Sequence, residues 1–276
     1  MMALVRAEWF KLMRQRRTYW AFGAILLIEA LVLLGAYFQG TNIIELLLDN
    51  LRKSFYFEGN LLNGNLMVYL LLNTLWFHLP LILMIVVSGM MTNEYKDKTL
   101  HALFLQPLSK RPLVLAKYVV AIQFTLMVLL FLAGSAVLFS YVFFGRGDLV
   151  VYLDSLNFFT DAVARERIAW AFAFGGLSMV FFTVVSLTLA ILIKEAMATW
   201  IAASFFLVFT NLLLKIDLGS AFLNRWFFVK LMDSWQYFFL AEIPWSVVGF
   251  NALLLLVYTL LVMGLGTYFF MKKDLD

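Results

Sequence analysis

Two side chains able to carry a proton, Glu29 and His78, stand in the middle of long apolar runs of this 276-residue sequence. An ionisable group at such a position is expensive to bury and is a candidate for function by default. The plainer reading of Glu29 is a protonated acid hydrogen-bonded to a neighbouring apolar segment, at Asn73 or His78. His78 is followed closely by Pro80 and suits a packed or kinked helix. The second histidine, His101, is not at metal-ligand spacing from it, so no metal site is expected. Intramembrane catalysis would need several polar groups at one depth. Glu29 and His78 form its only nucleus, with no Ser-His, paired-Asp or metal arrangement around them. The absence of cysteine removes thiol nucleophiles and thiolate metal sites. Asn211 and Lys215 suit a helix-end cap or anchor, or the lining of an exit path.

The elements that must position these groups are apolar. The chain is 64% hydrophobic and only 14% charged, with a mean hydropathy of +0.91, which predicts an integral membrane protein. A bilayer core of roughly 30 Å needs about 20 apolar residues per helix. Six windows meet that demand: 19–38, 66–91, 113–144, 168–193, 196–214 and 245–271. Unbroken apolar runs argue for helices rather than a barrel, so the expected fold is an all-α membrane protein with a single transmembrane domain. Six spans put both termini on one side. Of the 21 lysines and arginines, 13 fall in the termini, the 93–118 segment and the Lys194 turn, which places these in the cytoplasm. Basic residues at the inner headgroups also account for the pI without any nucleic-acid partner.

Residues 1–18 place Val5, Trp9, Leu12 and Met13 on one side at helical spacing, predicting an amphipathic helix lying in the membrane interface. After the first span, Asn42 followed by Glu45 reads as the cap of a short surface helix. Segment 145–167 reads as an irregular external loop, and its Arg146-Gly147-Asp148 as chance. Segment 215–244 crowds Trp226, Phe227, Phe228, Trp235, Tyr237, Phe238 and Phe239 among charges, predicting re-entrant or interfacial helices before the sixth span. Gly134-Ser135-Ala136 and Gly175-Gly176 with Ser178 are small-residue patches that mark contacts between spans. No internal repeat is visible, which weighs against a secondary transporter.

Segment 93–118, NEYKDKTLHALFLQPLSKRPLVLAKY, interrupts the apolar pattern between spans two and three. Leu100, Leu103, Phe104 and Leu108 follow helical spacing, Asn93 can cap the start, Pro107 ends the helix, and Ser109 and Pro112 suit the beginning of the next. Its apolar face could lie on the membrane or fill a groove on a soluble partner.

Asn93, Glu94, Thr99, Leu100, Leu105, Pro107, Leu108, Ser109, Lys110, Arg111 and Lys117 resemble the cytoplasmic loop of ABC-2 type permeases, the membrane subunits of ATP-binding-cassette exporters. The opening ALVRAEWFKLMRQRRTYW is similar to the connecting helix with which such permeases begin, with Glu8 and Lys11 at its usual acidic and basic positions beside Trp9. Members often carry glycine where this chain has Lys98 and Ala116. The resemblance implies a permease of a bacterial cytoplasmic membrane, paired with a second permease copy or paralogue, most like those for small-molecule, ion or antimicrobial-peptide efflux. No G-x-x-x-x-G-K-[ST] phosphate loop occurs in the sequence, so ATP and magnesium would belong to a separate ATPase subunit, and no cofactor is expected in this chain. Under this reading segment 93–111 is the coupling loop. Leu100, Leu103 and Phe104 would enter the ATPase, Glu94 and Thr99 lie nearby, Pro107 and Ser109 shape the exit, and Lys110 and Arg111 sit at the headgroups. Glu29, His78 and Asn211 are candidates for the translocation path. The alternatives are an assembly subunit of a membrane complex and an intramembrane lipid-modifying enzyme or protease.

Overall fold

The computed structural model describes the backbone of all residues except 53–60, 101–108, 154, 218 and 273–276; the side chains of 41–52 and 221 are also outside the described set. The elements in order are α1 (Met2–Met13), α2 (Arg16–Arg52), α3 (Gly64–Lys96), α4 (Lys110–Phe144), strands β1 (Leu149–Tyr152) and β2 (Leu156–Phe159), α5 (Asp161–Ile193), α6 (Ala196–Lys215), short helices α7 (Ala221–Trp226) and α8 (Phe228–Leu231), a 3-10 turn (Ser234–Phe239) and α9 (Trp245–Lys272). Among the described residues six helices are long and apolar enough to cross a membrane. They coincide with the six apolar windows, because a helix satisfies every backbone polar group within itself where no water is present.

Helix α5 forms the centre of the bundle. Of its most apolar stretch 78% is buried, against 22% for α2, α6 and α9. Hydroxyls along α5 tie it to its neighbours. Thr183 shares a 2.8 Å hydrogen bond with Thr125 of α4, and Ser186 donates to the Met84 carbonyl of α3 at 2.7 Å. Thr188 meets the Tyr118 hydroxyl at 2.7 Å. Such bonds are favoured between helices in lipid, where unpaired polar atoms have no solvent alternative. Close approach depends on glycine at Gly175, where an added Cβ would lie 1.9 Å from the Trp76 indole.

Three local expectations are corrected. Asn93 caps no helix; it lies inside α3, which runs on to Lys96 and begins instead at Asn63, whose side chain accepts from Leu66 N at 3.1 Å. Helix α2 does not restart at Asn42 but continues unbroken to Arg52. The described part of segment 145–167 is not irregular. Its β1 and β2 form an antiparallel hairpin pairing Leu149 with Phe159, and alternation turns Leu149, Val151, Asn157 and Phe159 inward. The Asp148 carboxylate accepts from Asp161 N at 2.9 Å and so caps α5, while Asn63 and Asn65 donate to the Asp148 and Gly147 carbonyls, each at 2.7 Å. Gly147 and Asp148 of the Arg146-Gly147-Asp148 run are therefore part of a joint between α3 and α5.

The aromatic segment before α9 divides. Phe222 and Trp226 stay exposed, whereas Trp235, Phe238 and Phe239 are buried. Trp235 meets Trp76 at 4.8 Å between ring centroids, and Phe239 meets Tyr69 at 4.7 Å. Arg167 locks the segment in place. Its guanidinium donates to the carbonyls of Phe238, Leu240 and Ala241 and lies 4.3 Å from the Phe159 ring centre.

Gly175→Ala should destabilise the bundle by about 1–3 kcal/mol through overpacking, because the Trp76 indole it strikes is held against Trp235. Thermal unfolding in detergent followed by tryptophan emission measures it; an unchanged melting temperature would contradict this packing.

Candidate functional site

At the end of the bundle that carries α1, four charged side chains close a ring. Lys11 Nζ lies 3.0 Å from Glu8 Oε1 and 2.9 Å from Glu94 Oε1. Lys117 Nζ lies 2.7 Å from Glu8 Oε2 and 2.8 Å from Glu94 Oε2. Each carboxylate thus bridges both lysines, and each of the four oxygens faces one ammonium. Lys117 is fully buried and directs its third donor to the Met90 carbonyl at 3.1 Å. Lys117 thus donates hydrogen bonds to Glu8 Oε2 and the Met90 carbonyl and faces Glu94 Oε2 as an ion pair.

The local sequence explains the placement. Leu12 is buried in the main core, with Leu4, Val5 and Trp9 packed against it. The apolar side of α1 therefore rests on the bundle and carries Glu8 inward with it. Arg6, Phe10 and Arg14 face outward, the Arg14 guanidinium 4.2 Å from the Phe10 ring centre. An elbow joins α1 to α2. Thr18 Oγ1 donates to the Leu12 carbonyl at 2.6 Å, and Arg17 donates to the Gln15 side chain and to the Gly89 carbonyl. A Cβ at Gly89 would lie 1.5 Å from the Arg17 guanidinium, so glycine leaves the space that the arginine fills. Between α1 and the last turns of α3 lies a cleft of about 690 Å³, lined among others by Lys11, Arg14, Gln15, Asn93 and Asp97.

Burial alone would push the Glu8 carboxyl up. The ammonium groups of Lys117 and Lys11, and the hydrogen bonds they donate, outweigh it and hold Glu8 below the ordinary carboxylate value. Burial likewise pulls Lys11 down, while Glu94 and Glu8 outweigh it and hold Lys11 above the ordinary lysine value.

The ring gathers Glu8, Lys11 and Glu94 and adds Lys117, whose place as the hub the sequence reading had not assigned. The available signal was a lysine about two turns inside an apolar helix. Trp9 is half-buried beside them. Thr99 is exposed, and its hydroxyl approaches the Glu94 carbonyl at 3.5 Å. Leu100 is buried in the main core of this same chain. Leu103, Phe104, Leu105, Pro107 and Leu108 lie outside the described residues. Ser109 occupies the cap position of α4 without a side-chain capping bond, followed by Lys110 and the exposed Arg111. Lys98, where the resembling permeases often have glycine, sits at φ 54°, in the left-handed region that glycine enters without cost from a side chain.

The remaining candidates are not brought to one another. His78 Nδ1 bonds the Thr74 carbonyl of its own helix at 2.8 Å, and Asn211 donates to the Leu207 carbonyl at 2.9 Å. Glu29 finds neither Asn73 nor His78. Its Oε1 accepts from Ser135 Oγ of α4 at 2.7 Å, a residue read from sequence only as part of a small-residue contact. Asn73 turns to the Tyr69 carbonyl of α3 instead.

A family model described as ABC-2 family transporter protein matches residues 4–211, a stretch that contains the whole ring. A comparison with curated proteins finds no match.

Lys117→Met should cost about 3–5 kcal/mol, because it leaves two buried carboxylates facing each other with one lysine removed. Adding Glu8→Gln and Glu94→Gln should restore most of the loss, and thermal unfolding of the single and triple variants compares them. The ring should also set the acid limit of stability. Glu8 takes up its proton less readily folded than unfolded, so its contribution is complete above the ordinary value of 4.5 and fades as pH falls through its lowered value. Lys11 contributes fully below 10.5, and that contribution fades as pH rises through its raised value. A pH series of melting temperatures should show the acid fall in the wild type and a shallower one in the triple variant.

Proposed function

Because the chain belongs to the ABC-2 family of transporter proteins, we propose that this multi-pass membrane permease subunit exports a substrate using ATP hydrolysed by a separate ATPase chain. The observation that carries this reading is the ionic ring, which joins α1 to the two helices flanking residues 97–109. ATP and magnesium are held by the partner. The protein lies in a bacterial cytoplasmic membrane with both termini and the 97–109 link in the cytoplasm, beside a second copy or a paralogue.

The physical requirement is that force applied to one short link reach several spans together. Glu94 belongs to the last turn of α3 and Lys117 to the first turns of α4, so a displacement of the link acts on both sides of one network. Glu8 and Lys11 carry α1 along, and packed elements shift as units rather than deforming continuously. The ATPase engages Leu103 and Phe104, with Thr99 at the rim and the cleft beside α1 as a second point of contact. Leu100 and Glu94 act from within the permease, the first in its core and the second in the ring. Lys110 and Arg111 hold the start of α4 at the headgroups.

Purification of the tagged protein from its native membranes in mild detergent tests the reading. Wild type should bring down a phosphate-loop ATPase, identified by mass spectrometry, and Leu103→Asp with Phe104→Asp should lose it by at least tenfold. Absence of any such ATPase, under conditions that preserve other membrane complexes, would overturn the proposal.

A further inference from the structure

Residues 14–17 turn the chain from α1 into α2 and read Arg-Gln-Arg-Arg. Two helices place this elbow at the level of the headgroups. The apolar run of α2 begins at Tyr19, just beyond Arg17, and that of α3 ends at Met91, just beyond Gly89, whose carbonyl accepts from Arg17 at 3.1 Å. Arg17 is half-buried, and a Cβ at Gly89 would lie 1.5 Å from its guanidinium, which therefore rests against the α3 backbone. Its Nε donates to Gln15 Oε1 at 2.8 Å. Both acceptors are neutral, and a guanidinium has further donors to offer. Arg16 beside it is exposed, and among the described residues neither arginine has a carboxylate within ion-pair distance. A cation taken partly out of water without a counter-charge is costly, and the elbow calls for an anion that the described chain does not supply.

The adjoining surface indicates what kind of anion. Trp20 stands one turn beyond Arg16 on the same face of α2, and Leu27, Leu31 and Leu34 continue that line into the span. All four are exposed, Trp20 by 76% and Leu27 by 60%. Between Trp20 and Leu27 lies Gly23, where an added Cβ would meet nothing within 4 Å. The stripe therefore has a notch open to hydrocarbon. Tyr19 is also exposed, and tyrosine and tryptophan collect at the membrane boundary. Two adjacent guanidiniums thus stand at one end of an apolar stripe, in the order in which a phospholipid presents its phosphate and its acyl chain. A guanidinium meets a phosphate with a planar fork of donors. A zwitterionic lipid carries its own ammonium beside the phosphate, which the guanidiniums repel. A soluble phosphate, or an acidic protein segment outside the membrane, would meet the arginines and leave the stripe unused.

We propose that the elbow between α1 and α2 binds an anionic phospholipid, its phosphate against Arg16 and Arg17 and an acyl chain along Trp20, Gly23 and Leu27. The lipid belongs to the leaflet on the α1 side, and basic pockets between spans are where anionic headgroups are held. Bound there, it supplies the counter-charge that Arg17 lacks. It also ties the elbow to the bilayer, while the ionic ring ties α1 to the bundle. This site goes beyond the exporter reading and does not depend on it, since lipid binding requires neither ATP nor the ATPase.

The test is native mass spectrometry of the full chain released from detergent micelles titrated with phosphatidylglycerol or with phosphatidylcholine. Wild type should retain phosphatidylglycerol saturably, with an affinity about fivefold or more above that for phosphatidylcholine. Arg16→Gln and Arg17→Gln should each lower the phosphatidylglycerol affinity by about fivefold and leave phosphatidylcholine unchanged. Arg16 is exposed, so its variant keeps the test valid if Arg17→Gln, which also loses the bond to Gly89, fails to fold. Arg111→Gln removes an exposed cation at the start of α4 and should change neither affinity. Millimolar inorganic phosphate should not displace the lipid. Equal affinity for the two lipids in wild type, undiminished binding in Arg16→Gln, or the same loss in Arg111→Gln would each overturn the site. Displacement by inorganic phosphate would make it a site for a soluble anion and overturn the lipid assignment.

Discussion

A lysine ammonium with no access to water must be met by acceptors and counter-charges within the chain, and Lys117 is met from two helices: by Glu8 of α1, and by Glu94 and the Met90 carbonyl of α3. That requirement organises one end of the molecule. It fixes how far α1 can slide along the bundle, because Glu8 must reach Lys117 with one oxygen and Lys11 with the other. It also fixes the rotation of the last turn of α3, because Glu94 must do the same. Replacing such a network with apolar side chains of the same volume is often neutral or stabilising. Its contribution is therefore better understood as register than as gross stability: it selects one arrangement of three helices among the several that apolar packing would tolerate.

The other end of the bundle uses amides, a phenol and carboxylates for the same purpose. Asn63, Asn65, Tyr141, Asp148 and Asp161 join the start of α3, the end of α4 and the start of α5. Arg167 then clamps the backbone just before α9. Between these two polar joints the helices touch through alkyl and aromatic side chains and a few hydroxyl pairs. The joints define the ends, and the apolar middle follows them.

Much of the architecture was legible because the membrane imposes a length and a polarity that a chain can meet in few ways. The six spans, the basic helix at the start and the polar link between spans two and three could all be read directly. What could not be read was any feature set by a distant partner. Asn93 looked like a cap because a polar residue followed an apolar run, yet α3 continues past it, its last turn tied by the Glu94 ion pairs. The hairpin at 149–159 was hidden because its strands are only four residues long and its inward face is completed by α3 and α5. Ser135 carried no sign that it would meet Glu29, 106 residues away. Lys117 was visible as a lysine in an apolar helix, but its two acids came from different helices, both earlier in the chain.

Glu8, Glu94 and Glu29 are the same side chain in three buried settings, and they differ in how their oxygens are met. The first two have an ammonium on every oxygen, so nothing that binds there would gain from neutralising them. Glu29 has one hydroxyl on Oε1, and its Oε2 is buried without a hydrogen-bond partner among the described residues. Helix α2 connects the two situations. Its start is held to α1 through Thr18 and to α3 through Arg17, and its middle carries Glu29. A continuous helix is stiff over such a length, so a shift of α1 and α3 at the ring would be delivered to Glu29, whereas Ser135 on α4 follows Lys117. The Glu29–Ser135 separation would then respond to the difference between the motions of α2 and α4. A carboxyl held across that gap by a single hydroxyl is the group whose surroundings would change most.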